Sequence, residues 1–546
     1  MNILEKNNIS NILPITDMQQ GMLFSYSLHP ETEINFEQIG ISIEGNLDID
    51  TFYKSWDYIF FENEAFRTIY RWKNLSKPIQ IILKENTIDI LFKEVKDVTL
   101  NELMQKDREN KFDLEKTPFR IRLFKLNTDS FFMIISFHHI LMDGWSLGIL
   151  INEFISNYTS VHSMKKINSR NKPELNTYFR EYNNYDKEKA IEYWINYLKG
   201  YLISNPKVNI NSYVKERINV VKKTFTTKLT ESLISFSKDN KVSQANIFYS
   251  IIGIILQKIH GTNDICFDIT VSGRNMSIVG IENMIGLFIK TLPIRLINHP
   301  SQTLIDIIQQ TKKISLESQI HDHINPYFCS EINFNNINQS FTSLVVFENY
   351  PLSNLLFKTN SNIKINSFIY EERTNYDLAI LIRNSESISI DYSYNEKIFS
   401  INDISKLNDQ IIKLSELLIN KPLSKYETIR LNNFLSFEKL IINKEESINN
   451  LMDDECEELN EVEFNLKKIW EKEFGKCVQI DDNFFEIGGN SQLLVKIYKK
   501  ISDIYPNTLK VNQFYSNSSI RLLSNIILSI DKNIPKVSSN INHIKF

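Results

Sequence analysis

Four cysteines in 546 residues, with no C-x-x-C pair among them, leave too little thiol for a disulfide framework or a cysteine-based zinc site. Cys266, Cys329, Cys456 and Cys477 are expected to be reduced and mostly buried. Glycine (14) and proline (13) are also scarce, which excludes a collagen-like or low-complexity chain. The paired glycines at 488 and 489 therefore mark a place where the backbone needs them. Neither sign of charge is in excess: 62 basic residues face 66 acidic ones, for a net charge of −4 and a pI near 6.2. Without a cationic field to recruit phosphate backbones, nucleic acid is not an expected partner. Apolar runs such as Ile247–Leu256 fall short of the roughly 18–20 residues that span a bilayer. The opening residues, MNILEKNNISNILP, lack the basic start and apolar stretch of a secretory signal. These absences lead to the expectation of a cytoplasmic protein without a membrane partner.

What is abundant is material for a core. Apolar residues make up 42% of the chain, and 35 Phe, 23 Tyr and 5 Trp supply large side chains. The length predicts about three to five ordinary domains, or fewer large ones. From about residue 10 to 440, β-branched and aromatic runs alternate with helical patterns, which indicates an α/β fold. Phe131–Phe137, Ile265–Val271 and Phe341–Phe347 read as strands, and Leu147–Tyr158 as a helix. Asp186–Leu198 reads as a bridging helix that stops at Gly200. Between Glu445 and Glu463 nine acidic residues occur with no basic one, the composition of a solvated linker. Three helical faces follow, starting at Val462, Leu494 and Leu522, and suggest a small bundle.

Two constellations carry chemistry. The first is Ser136–Ser146 (SFHHILMDGWS), which follows an apolar strand and precedes a helix, a position where α/β proteins build sites. Successive side chains on a strand point to opposite faces, so His138 and His139 cannot share one cavity if strand geometry persists. One of them is expected to be structural. A neutral imidazole can take a proton from a nucleophile at physiological pH. Asp143, in a turn completed by Gly144, can support such a ring directly or by fixing the loop. No nearby Cys or Glu completes a metal set. The second constellation is Asp482–Leu494 (DNFFEIGGNSQLL), in which Ser491 opens a predicted helix after two glycines. Helix-start N–H groups and the dipole stabilise a phosphate there, although a plain capping serine has the same spacing.

The first segment resembles the HHxxxDG motif of the condensation-domain superfamily of nonribosomal peptide synthetases. Other stretches resemble that family in order: Leu13–Phe24 (LPITDMQQGMLF), Glu64–Thr68 (EAFRT), Tyr178–Leu198, Thr270–Arg274 (TVSGR), Ile285–Pro293 (IGLFIKTLP), Val346–Pro351 (VFENYP) and Thr374–Asp377 (TNYD). The resemblance implies two chloramphenicol-acetyltransferase-like lobes in a V shape, residues 1–185 and 186–440. It also implies that His139 is catalytic, that Asp143 is structural and paired with Arg274, and that Gly144 lends backbone near the reacting centre. The family reaction joins a carrier-bound amine to a carrier-bound thioester. Related epimerisation motifs read Asp-x-x-Ser-Trp, whereas this chain has Trp145 before Ser146; heterocyclisation motifs place an aspartate where His138 stands. Condensation is therefore the expected chemistry. Two motifs depart from the family pattern: Glu62-Asn63 replaces Arg-His, and Lys290 replaces an Asn. A basic side chain there could alter donor selection or reach toward solvent, and of the two Lys290 is expected to reach toward solvent.

The second segment resembles the GGxS motif of peptidyl carrier proteins, with Gln513–Ile520 similar to that family's final-helix entry. This implies a four-helix carrier over 461–532, after an acidic linker at 441–460 and before a tail at 533–546. It further implies 4′-phosphopantetheine on Ser491, installed by a magnesium-using phosphopantetheinyl transferase. An upstream donor carrier protein is an implied partner. Because the chain has no room for the adenylation domain of a typical module, an adenylation enzyme acting in trans is expected, or else a carrier that receives a finished acyl group. Two alternatives stay open: release onto a free amine or alcohol, and a noncatalytic scaffold that only recruits carriers.

Overall fold

The computed structural model describes residues 6–28, 32–73, 75, 77–165, 172–201, 218–326, 343–348, 363–371, 376–384, 387–396, 398–430, 459–474, 477–482, 484, 491–506, 508–509 and 519–530. The chain forms two compact units: residues Met1–Tyr193, Arg217–Asn325 and Thr342–Asn432 in the first, and Trp194–Glu216, Pro326–Phe341 and Asn433–Phe546 in the second. Nearly all of the acidic linker, the tail, Cys329, Cys456 and Gly488-Gly489 lie outside the described residues.

Among the described residues the first unit holds three sheets. In one, the strands run in the order Ile363–Glu371, Phe36–Gly45, Ser130–His138, Phe119–Asn127, Asp89–Glu94, all antiparallel except the last pair. A six-stranded sheet has the order Lys290–Ile297, Asp264–Val271, Ser343–Glu348, Leu378–Asn384, Ile388–Asn395, Ile218–Thr224, and the two pairings made by Ser343–Glu348 are parallel while the other three are antiparallel. A small antiparallel sheet of Ile9–Pro14, Ile79–Leu83 and Thr68–Arg71 completes the set. Sheets do not follow the chain in simple order. Ile363–Glu371 belongs to the stretch expected in the second lobe, yet it adds to the sheet of the first by pairing with Phe36–Gly45.

The expected strands are present, each within a few residues of its predicted bounds, and the histidine strand spans Ser130–His138 with every residue after Ser130 buried. The helix expected at Leu147–Tyr158 runs from Gly144 to His162. It starts earlier because Asp143 caps it, accepting from the Ser146 N–H at 2.9 Å. With helix Ile49–Glu62 it covers the histidine sheet: Trp56 stacks on Phe154 with ring centroids 4.8 Å apart, and Phe52, Phe60 and Phe119 close around them. The bridging helix spans Lys187–Leu198, and Gly200 follows with φ of +71°, a left-handed turn that ends it. No single helix among the described residues is long and apolar enough to cross a membrane.

In the second unit, three helices are described: Glu461–Phe474, Ser491–Ile504 and Ile520–Ile530. Val462, Leu466, Trp470, Leu494, Ile497, Ile501, Leu523 and Ile527 are buried, so each predicted apolar face contributes to a core. Phe484 packs edge-on against Trp470 at 5.0 Å. The Glu473 carboxylate ties the first helix to the second through Lys496 (2.9 Å) and Lys500. Cys477 is exposed, contrary to the expectation of buried thiols, whereas burial pushes the Cys266 thiol up.

Candidate active site and carrier serine

The histidine strand ends at His138, and the chain turns at once. The His139 N–H donates to the Asn35 carbonyl at 2.8 Å, and the Leu141 N–H returns to the His138 carbonyl at 3.0 Å. This turn separates the two rings. His138 is 4% exposed and edge-on to Tyr26, with centroids 5.9 Å apart. Its Nδ1 accepts from the Ile140 N–H at 3.2 Å, so a neutral ring carries its proton on Nε2. Burial, with His139 adding to it, pushes its pKa down to about 3. His138 is thus a neutral core residue at physiological pH.

His139 is only partly buried, and its Nδ1 lies 2.9 Å from the Met142 carbonyl. A carbonyl oxygen can only accept, so the neutral ring holds its proton on Nδ1 and keeps the lone pair on Nε2. That nitrogen can take a proton or orient an amine.

Asp143 does not touch this ring. It is 0% exposed and serves as an anchor between distant parts of the first unit. Arg274 grips it with two bonds, Nη1 to Oδ2 at 2.8 Å and Nη2 to Oδ1 at 3.0 Å. The N–H groups of Ser146, Phe288 and Ile289 also donate to its carboxylate, at 2.9, 2.9 and 3.3 Å. Burial alone would raise its pKa, but the Arg274 charge and these donors outweigh burial and hold the carboxyl below its ordinary range. Of the two roles open from sequence, fixing the loop is the one the geometry describes. Gly273, beside Arg274, has φ of +62°, and a Cβ there would lie 1.8 Å from the Phe288 carbonyl oxygen. Only glycine lets these two backbones meet. Gly144 is the first residue of the helix, where N–H groups have no partner within the helix.

Ser146, which sequence reasoning passed over, bridges the same junction. Its Oγ lies 2.8 Å from both Asp143 Oδ1 and the Gly286 carbonyl, and accepts from Arg274 Nη2 at 3.0 Å. Its spacing three residues after Asp143 is the capping signal that could have found it. The two departures from the family pattern are accommodated inside the fold. Asn63 Nδ2 donates to Glu153 at 3.1 Å and its Oδ1 accepts from Lys172 at 2.6 Å, while Lys172 also pairs with Glu153. Lys290, expected to reach solvent, is instead 9% exposed and paired with Asp322 at 2.8 Å. A carboxylate within reach makes the burial of its ammonium tolerable.

Ser491 is the first residue of the fourteen-residue helix Ser491–Ile504. A serine hydroxyl at a helix start suits a phosphodiester, because the free N–H groups and the dipole favour negative charge there. The glycine pair before it lies outside the described residues. Among the described residues no group of His, Cys, Asp and Glu is placed to hold a metal.

Residues 9–441 match the family model of the condensation domain, and residues 465–527 match that of the phosphopantetheine attachment site. Gramicidin S synthase 2 of Brevibacillus brevis is 29% identical over 439 residues, 77% of this chain and 10% of that protein. Tyrocidine synthase 2 of Brevibacillus parabrevis is 29% identical over 436 residues, 77% of this chain and 12% of that protein. The chain therefore spans about a tenth of the length of these relatives. Among solved structures, the first condensation domain of the CDA synthetase superposes with a TM-score of 0.64 at 13% identity, covering 78% of this chain and all of that one. The four-domain nonribosomal peptide synthetase holo-AB3403, bound to AMP and glycine, gives 0.66 at 17% identity, covering 80% of this chain and 35% of that one.

Proposed function

Because the chain belongs to the condensation-domain family and continues into a phosphopantetheine attachment site, we propose that it forms an amide bond between a donor thioester and a carrier-held amine. The donor is an acyl or peptidyl group brought by a separate carrier protein, and the acceptor amine is held on the arm of Ser491. The attached group supplies a thiol that holds the acceptor as a thioester. The amine nitrogen attacks the donor carbonyl, and its proton passes to His139 Nε2. As the tetrahedral centre collapses, the carbon–sulfur bond breaks and the proton returns to the departing thiolate. Asp143 and Arg274 hold the loop, and the Gly144 backbone borders the reacting centre. The observation that carries this reading is the hydrogen bond from His139 Nδ1 to the Met142 carbonyl, which leaves Nε2 as the basic nitrogen.

The two family matches end at 441 and begin again at 465, which leaves no room between them for an adenylation domain. An adenylation enzyme acting in trans would load the acceptor, and a phosphopantetheinyl transferase would modify Ser491. Thioesters are already reactive toward amines, so orientation supplies part of the rate and general-base catalysis typically adds about 10²–10⁴-fold. Single-turnover transfer with both carriers loaded is expected to slow by about that factor in His139→Ala. Equal rates for the variant and the wild type would remove the catalytic role. Ser491→Ala is expected to abolish the pantetheine mass addition and the product together. Continued product with soluble amines in that variant would instead assign the acceptor as free.

A further inference from the structure

Two side chains outside the histidine motif converge on one carbonyl within it. Tyr70 Oη donates to the Ile140 carbonyl at 2.9 Å, and Gln19 Nε2 donates to the same oxygen at 3.1 Å. Both acceptor positions of that oxygen are thereby used. Tyr70 stands on strand Thr68–Arg71 and Gln19 on helix Asp17–Leu28, and the two are 1% and 4% exposed. Gln19 is itself oriented, since its Oε1 accepts from the Thr16 N–H at 2.9 Å. The Ile140 side chain is packed with Met22, Leu23, Tyr70, Leu114 and Leu287.

Ile140 lies inside the segment that decides the state of His139. Its N–H satisfies His138 Nδ1, its carbonyl is clamped by Tyr70 and Gln19, and Met142, two residues on, offers the carbonyl that holds His139 Nδ1. The Ile140–Leu141 peptide plane is held at two ends, by these donors at its carbonyl and by the Leu141 N–H bonded to the His138 carbonyl at 3.0 Å. Removing the clamp would leave one anchor, loosen the plane and let the Met142 carbonyl drift from the ring. The imidazole would then be free to move its proton between its two nitrogens.

We propose that Tyr70 and Gln19 are positioning residues for His139, keeping its proton on Nδ1 and its lone pair on Nε2 by clamping the Ile140 carbonyl. The proposal deepens the reading of His139 as the proton acceptor and rests on it for its catalytic consequence. It does not rest on it for the tautomer, which can be measured without turnover.

The test uses the full chain labelled with ¹⁵N-histidine, its ring signals assigned by comparison with His139→Gln. Tyr70→Phe keeps the ring and loses only the hydroxyl; Gln19→Met keeps the side-chain volume and loses the donor. In the wild type the His139 signals should report one tautomer, with Nδ1 protonated. In each variant they should shift toward a mixture of the two, while kcat for transfer falls about tenfold and KM for the loaded donor carrier stays unchanged. A folded Tyr70→Phe protein with the wild-type tautomer would overturn the proposal, as would unaltered kcat. Should Gln19→Met fail to fold, the Tyr70→Phe result decides alone. Wild-type transfer by His139→Ala would bring down the functional reading, while the tautomer measurement would still judge the clamp.

Discussion

His138 and His139 are neighbours in the chain, yet they differ in which ring nitrogen holds the proton. An N–H faces Nδ1 in His138 and a carbonyl faces it in His139. That difference gives the first ring a testable pH signature. Its folded pKa is pushed down to about 3 from an unfolded value near 6.5, so the unfolded chain binds a proton that the folded one refuses. Its contribution to stability is intact above about pH 6.5 and is lost progressively as pH falls toward 3. The slope from this one group approaches at most ~1.4 kcal/mol per pH unit. Urea unfolding at several pH values should show a steeper acid limb for the wild type than for His138→Asn, which keeps an acceptor near the Nδ1 position but does not titrate. Identical limbs would assign acid sensitivity to other groups. From sequence, the alternation rule expected the two histidines to part if strand geometry persisted; the strand ends at His138, and it is the turn after it that parts them. The rule did not say which ring was buried, because that depends on where the strand ends.

At the scale of elements, the start of helix Gly144–His162 is held from outside itself. Arg274 and the backbone of Phe288 and Ile289 all converge on the residue that caps it. Removing one partner of a buried ion pair leaves the other charge uncompensated, at a cost of about 3–5 kcal/mol. Asp143→Ala should therefore lower the unfolding free energy by roughly that amount, and Arg274→Met added to it should cost much less than Arg274→Met alone. Additive losses in the double variant would show that the two side chains are not coupled. Gly273→Ala should be destabilising too, since its Cβ would meet backbone rather than a movable side chain. Much of this element level was legible. The helical spacing of Leu147, Leu150, Ile151 and Phe154 marked the helix, and Asp143 with Ser146 is a capping signal. What was not legible was contact between remote residues. Gln19 and Gln20 are adjacent glutamines in one motif, and nothing local says that the first reaches Ile140, 121 residues away. The pairing of Lys290 with Asp322 was hidden for the same reason.

At the scale of the whole first unit, the strand Ile363–Glu371 joins chain segments more than 300 residues apart. Its register runs from Ile363 opposite Gly45 to Glu371 opposite Gln38. Sequence patterns gave no sign of this exchange, because a strand's alternation records which face is buried but not which sheet receives it. The consequence is that the first sheet is incomplete without the second half of the chain. A fragment of residues 1–185 would leave the edge of Phe36–Gly45 unpaired, and an open apolar edge is a template for intermolecular pairing. Such a fragment is expected to aggregate or to unfold without a sharp transition. A chain of residues 1–432 keeps the strand and should unfold cooperatively, with the sheet of His138 and the six-stranded sheet of Asp264–Val271 losing structure together. Hydrogen exchange followed by mass spectrometry would read this directly, through matched protection in Ser130–His138 and Ile363–Glu371 of the first sheet and Asp264–Val271 of the six-stranded one. If the 1–185 fragment were soluble and cooperatively folded, the strand would be an accessory to the first sheet. Loss of protection in Ile363–Glu371 well before Ser130–His138 would carry the same meaning. The Asp143–Arg274 pair would then be what couples the histidine loop to the rest of the unit.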